Sequence, residues 1–180
     1  MKNTASSCDT NLGTGAHLLS DWAMADLDVA YVPTPKQVVR QMLHLAQLRR
    51  GEVLFDLGAG DGRVMIEAAR TFGAQVVGVE IDPQRISRLK QRLRSTGVSA
   101  QVIQSDFMDV DLSTANVVAI YLSESANAKL APKLNRELPR GARVVSLDYP
   151  LSGWKPQEEL VVKGALPRKL FLYRISKLTK

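Results

Sequence analysis

The chain is 180 residues long, 45% hydrophobic and 23% charged, with 24 basic against 18 acidic side chains and a net charge of +6. That length suits one domain, and the balance excludes a disordered or fibrous protein. A single cysteine, Cys8, excludes an intrachain disulfide, and the two histidines, His17 and His44, lack metal-ligand spacing, so no metal is expected.

Residues 1–20 are polar and read as a tail, without the apolar centre of a secretion signal. No apolar run reaches the ~18 residues of a membrane span, so the expectation is a cytoplasmic protein with no membrane partner. Residues 21–34, with Trp22, Met24, Leu27, Val29 and Tyr31, read as an arm or lid on one domain spanning 21–180. A first helix follows. Thr34 is placed to cap it, Pro35 suits its first position and Gln37 completes a capping box. Its apolar stripe is Val38, Val39, Met42, Leu43, Leu45 and Ala46, and Gly51 is placed to stop it.

Val53-Leu54-Phe55 then reads as a buried strand running into Asp56 and a glycine-rich turn, from which a helix spans 63–72. Residues 75–79 form the next strand, ending at Glu80. Asp82 and Pro83 start a helix with the stripe Ile86, Leu89, Leu93, opposite a basic face of Arg85, Arg88, Lys90, Arg92 and Arg94. Further strands are expected at 100–104, 115–122 and 142–148. Between the last two lies a helical stretch, Leu130, Leu134, Leu138, which Pro132 is expected to split. Residues 158–163 and 169–175 read as a hairpin. This alternation predicts an α/β fold: a doubly wound, mostly parallel seven-stranded sheet with helices on both faces and a C-terminal antiparallel hairpin.

The chemistry is concentrated in Asp56-Leu57-Gly58-Ala59-Gly60-Asp61-Gly62-Arg63, at a strand-to-helix turn. Glycines let the backbone approach a ligand closely, and a helix N-terminus offers N–H groups and a positive dipole end. The spacing Gly-x-Gly-x-Gly differs from the dinucleotide fingerprint Gly-x-Gly-x-x-Gly, which weakens a nicotinamide reading. Asp56 would repel a pyrophosphate but attract an ammonium. S-adenosylmethionine (SAM) carries an ammonium, and its carboxylate can meet the turn N–H groups. Glu80, at the end of the second strand, can accept ribose hydroxyls. After the third strand, Asp106 can take an adenine amino group and Phe107 can pack on the ring.

These residues resemble the class I SAM-dependent methyltransferase superfamily, with its Rossmann-like sheet, over about 35–175. A narrower likeness rests on Tyr31-Val32-Pro33-Thr34-Pro35, the 56–63 turn, Tyr121-Leu122 followed by Asn127, and Gly141-Ala142-Arg143-Val144-Val145-Ser146. These are similar to the small protein-lysine methyltransferase family, which includes broad-specificity archaeal enzymes and mitochondrial enzymes acting on ATP synthase and the adenine nucleotide carrier. The resemblance implies SAM as cofactor, held by Asp56, Gly58, Ala59, Gly60, Gly62, Glu80, Ile81, Asp106, Phe107 and Tyr121. It implies a protein lysine as acceptor. Tyr121 and Tyr31 would line its channel, Glu124 would attract the ammonium, and Pro33, Ser123, Asn127 and Trp154 would complete the surroundings. The membrane-anchoring segment of the mitochondrial relatives is not seen in this sequence, so a mitochondrial membrane site is not carried over. An RNA or small-molecule acceptor is the alternative, the basic helix favouring RNA; that helix is expected on the outer face, away from the cleft. A non-catalytic SAM-binding protein is a third reading, opposed by the intact Asp56, Glu80 and Asp106 set.

Overall fold

The structure is a computed structural model that describes residues 33–176. The expected tail (1–20), most of the expected arm, and Tyr31 with it, lie outside the described residues.

Four short, apolar strands form the middle of the sheet: β1 (Val53–Leu57), β2 (Gln75–Glu80), β4 (Val117–Ile120) and β5 (Arg143–Leu147). They are buried along nearly their whole length, as strands covered on both faces must be, and so read as continuous apolar runs. With β3 (Gln101–Gln104), β6 (Glu158–Val162) and β7 (Arg168–Arg174) they form one seven-stranded sheet of order β3-β2-β1-β4-β5-β7-β6. The pairs among β1 to β5 are parallel, while β5–β7 and β6–β7 are antiparallel. The last strand in sequence is thus inserted between β5 and the edge strand β6.

Alternate residues feed two cores. One face packs Leu54, Val76, Val117 and Val145 against α1 (Lys36–Leu45), α2 (Arg63–Glu67, continued by a π-helical turn Ala68–Phe72) and α3 (Pro83–Thr96). The other packs Phe55, Val77, Val118 and Val144 against Leu130, Leu134 and Leu138 of α4 (Glu124–Glu137) and its end, with Leu151 and Trp154 covering the rest. Helices therefore lie on both faces, as expected, though a loop replaces helix over part of the α4 side.

Three local expectations are corrected. Thr34 does not cap α1: the preceding residue is Pro35, with no side-chain cap bond. A residue before proline is forced extended; Thr34 is buried and its carbonyl accepts from Arg63 Nη1. Nor does α1 run to Gly51. Gln47 turns left-handed at φ 51°, with Gln47 N–H donating to His44 O and Leu48 N–H to Leu43 O, a Schellman closure that buries Leu48. Finally, Pro132 lies inside an uninterrupted α4. The carbonyl its missing N–H would have met belongs to Ala128, which is exposed on the same face, so water can satisfy it.

Sheet order reverses between β1 and β4, whose outgoing chains run to opposite faces. Such a switch point opens a crevice at the carboxyl ends of the strands.

Candidate active site

The turn after β1 brings Gly58 and Leu122, just beyond β4, across this crevice from each other. A Cβ on Gly58 would stand 3.0 Å from Leu122 Cδ2, and its φ of 80° is itself unfavourable to any L side chain. Gly62 has φ 74°, and a Cβ there would stand 2.1 Å from Leu89 Cδ1 on α3. The first glycine lets the turn approach Leu122 closely; the second lets α2 and α3 pack behind it.

The turn's N–H groups are not left for a ligand as expected. Those of Gly58 and Ala59 donate to Val79 O at 2.9 and 3.0 Å, and that of Gly62 donates to Ala59 O at 2.8 Å. Gly60 N–H donates to Glu80 Oε2 at 2.9 Å. Tying the loop to β2 satisfies donors that burial would otherwise leave unpaired. Glu80 is buried and also accepts from Ile81 N–H at 3.0 Å and Asp82 N–H at 3.1 Å. It is the staple that shapes the turn, a role beyond the ribose contact expected of it.

Asp56 is different. It is buried, and among the described residues no hydrogen-bond donor to its carboxylate is found. Burial, with Glu80 and Asp61 beside it, pushes its pKa up to about 7. Asp61 is neutralised by Arg63, at 2.7 Å, and by Arg92 of α3; Asp56 has no such partner. A buried carboxylate among carboxylates is a poor site for a diphosphate and a good one for a cation. This electrostatic setting fits the ammonium of SAM.

The basic helix is not wholly outward-facing. Arg92 reaches Asp61, and Arg85 lies 3.3 Å from Asp82 and 3.9 Å from Glu80. The reason is local: α3 starts at the end of β2, with Asp82 accepting from the Gln84 and Arg85 N–H groups. Asp106, past β3, caps the 3-10 turn Phe107–Asp109 by accepting from Met108 N–H at 2.8 Å, and Phe107 is half-buried against the α4-side core.

Beyond β4 the surroundings change. Tyr121 is half-buried, and the Arg168 guanidinium lies 4.9 Å from its ring centroid. Ser123 caps α4, accepting from Ala126 N–H at 3.2 Å, and Glu124 is exposed. Asn127 is wholly buried; its Nδ2 donates to Tyr149 O at 2.9 Å and Ser146 Oγ at 3.3 Å, bracing the loop after β5 from beneath. Pro33 is exposed at the start of the described chain. Trp154 is not brought to the crevice. Its ring stands edge-on to Tyr173 at 5.8 Å, and Tyr173 is paired with Val144 near the amino end of β5, the opposite end of the sheet. Sequence reasoning missed Arg168 and Asp148, for which no local pattern exists. It also passed over Asp61, although that residue stands within the glycine motif.

The ANTKMT methyltransferase domain matches residues 56–158, more than half of the chain. The chain belongs to this family. It is 41% identical over 151 residues to a protein-lysine N-methyltransferase of Saccharolobus islandicus, covering 82% of this chain and 94% of the relative. It is 32% identical over 156 residues to the adenine nucleotide translocase lysine N-methyltransferase of Mus musculus, covering 80% and 68%. The crystal structure of an RNA methyltransferase from Salinibacter ruber in complex with S-adenosyl-L-homocysteine aligns with TM-score 0.78 at 40% identity, covering 83% of this chain and 97% of that one. The protein is a SAM-dependent methyltransferase. No helix among the described residues is long and apolar enough to cross a membrane.

Proposed function

We propose that this methyltransferase transfers the SAM methyl group to lysine side chains of proteins. The observation that carries the reading is the near end-to-end match to the archaeal relative, itself named a protein-lysine N-methyltransferase.

In this reading Asp56 would hold the ammonium of SAM, Glu80 and the adjoining Ile81 the ribose, and Asp106 and Phe107 the adenine. The glycines at 58, 60 and 62, with Ala59, give the backbone path close to it. SAM supplies an already activated methyl, so the protein's main task is alignment of the nucleophile. A lysine must attack as the neutral amine. From a reference pKa near 10.4, reaching that form at pH 7 costs roughly 4.6 kcal/mol. A partly dry channel lowers this by disfavouring the ammonium. Tyr121, at the end of β4 on the acceptor side of the crevice, would orient the amine. Glu124, exposed at the first turn of α4, would attract the incoming ammonium, with Ser123, Pro33 and Tyr31 at the channel mouth.

The test is mass spectrometry of methyl-lysine after incubating the purified protein and SAM with cell extract. Methyl-lysine absent from the enzyme-treated sample would sink the reading. An RNA acceptor is the second reading, supported by the Salinibacter structure's description as an RNA methyltransferase and by the exposed Arg88, Lys90 and Arg94 on α3. Label from tritiated SAM that is lost on nuclease treatment but kept on protease treatment would decide for RNA.

A further inference from the structure

We propose that Arg168, together with Asp148, is a positioning device for Tyr121 that sets the acceptor side of the reaction. The inference rests on Tyr121 facing the acceptor.

Arg168 is the first residue of β7. Antiparallel pairing with β5 sets that start beside the carboxyl end of the neighbouring parallel strands, the end where Tyr121 leaves β4. Its side chain is only 11% exposed, so its orientation is fixed by protein contacts. The guanidinium lies over the Tyr121 ring at 4.9 Å, within range of a cation–π contact. It is held there by Asp148, with Nε at 2.7 Å and Nη2 at 2.5 Å from Oδ2. Asp148 in turn is fixed. Its φ is 62°, a left-handed conformation rare outside glycine. Its N–H donates to Lys169 O at 2.7 Å, and its Oδ1 accepts from Lys169 N–H at 3.1 Å. The hydrogen bond to the Asp148 carboxylate, helped by the Tyr121 side chain, outweighs burial and raises the Arg168 pKa still further, so it stays charged at any working pH. Below this layer, Asn127 and Ser146 hold the carbonyl of Tyr149.

The chain of restraint runs from a loop in an uncommon backbone conformation, through a carboxylate and a planar cation, to one aromatic ring. Asp148 and Arg168 do not touch the acceptor in this proposal. They hold the plane and edge of the Tyr121 ring, and with it the direction of its hydroxyl. A shift of about 1 Å in a group that aligns a nucleophile can cost on the order of 100-fold in rate.

The experiment is a double-mutant cycle in the full chain: wild type, Arg168→Gln, Tyr121→Phe and the double variant, with Arg168→Lys as the conservative change. Methyl transfer from tritiated SAM into dialysed cell extract is followed at saturating SAM. S-adenosylhomocysteine affinity is measured by calorimetry and ring mobility by NMR with ¹³C-labelled tyrosine. The expected result is a loss on the order of 10-fold in rate for Arg168→Gln, with S-adenosylhomocysteine affinity within about twofold of wild type. The Tyr121 ring signals should shift while those of Tyr173 stay. In the Tyr121→Phe background Arg168→Gln should cost less than about twofold, the signature of two residues acting as one. Arg168→Lys should recover part of the loss, and it carries the cycle if Arg168→Gln does not fold. An equal loss in both backgrounds overturns the proposal, as does an Arg168→Gln rate equal to wild type while Tyr121→Phe is slow. If Tyr121→Phe is itself as fast as wild type, the failure lies one step earlier, in the role given to Tyr121.

Discussion

On the β1–β3 side of the crevice, the main chain does most of the building. Gly58, Ala59, Gly60 and Gly62 all direct their N–H groups inward, to Val79 O, Ala59 O and Glu80, and one buried carboxylate, Asp56, has no counter-charge of its own among the described residues. On the β4–β5 side, side chains far apart in sequence do the work: Arg168 spans 20 residues to Asp148, and Asn127 spans 22 to Tyr149. The first half is a tightly tied backbone turn beside an unmet charge. The second is a set of side chains tied to one another that hold one ring, Tyr121, at the rim, with Asn127 Oδ1 and Arg168 Nη2 buried there without a hydrogen-bond partner among the described residues. In the proposed reading, the half with an unmet charge gains its balancing interaction from the ligand and so governs binding. In the same reading, a half held by its own side-chain contacts adds little to affinity and governs alignment.

This contrast breaks most sharply at Asp56. Asp56→Asn should weaken S-adenosylhomocysteine binding by about 100-fold or more, the scale for removing one partner of a buried charge pair; calorimetry showing unchanged affinity would dissolve the distinction between the halves. The second largest effect should fall on the other side. Tyr121→Phe should slow turnover by about 30-fold, within the range for losing a group that aligns the nucleophile, with ligand affinity unchanged. Were affinity to fall instead, Tyr121 would belong to the binding half.

The raised pKa of Asp56 gives a third test. The folded group protonates near 7 and the unfolded one near 3.9, so the ligand-free protein should lose stability as pH rises from about 4 to about 7. The loss is of order 4 kcal/mol at most. Asp56→Asn should abolish that slope in thermal melts. Ligand binding favours the ionised form, so affinity should weaken by up to about 10-fold for each pH unit below 7 and level off above 8. A flat profile from pH 5 to 8 would mean that Asp56 is not the group meeting the ligand's cation. Gly62→Ala, which must displace Leu89 and adopt φ 74°, should cost about 2 kcal/mol in thermal stability. The smallest effect is expected for exposed Glu124: Glu124→Gln should change the acceptor KM by no more than about threefold at physiological salt, since an exposed charge is screened.

The same contrast explains which parts the sequence made legible. Strands β1, β2, β4 and β5 announce themselves because burial on both faces demands unbroken apolar runs. The glycine turn does so because only glycine accepts φ of 80° at residue 58 against Leu122. Asp56 stands out because an acid beside a ligand-binding turn needs a reason. All of these are local demands. Arg168 was hidden, since its partners Asp148 and Tyr121 are set by the β5–β7 register, which no nearby residue encodes. Trp154 shows the converse: an aromatic beyond β5 suggests a channel wall, but antiparallel β7 presents Tyr173 to it at the far end of the sheet. Pro132 misled because a helix-breaking residue is harmless where the deprived carbonyl faces water.

The insertion of β7 between β5 and β6 has a consequence for how the chain is made. Among the described residues β6 has no strand neighbour but β7. On a ribosome, residues 158–162 emerge before any strand exists for them to join. They must wait, solvent-exposed, until residues 168–174 have been synthesised and placed against β5. Arg168, which arrives with the final strand, is placed over Tyr121 only in that last step.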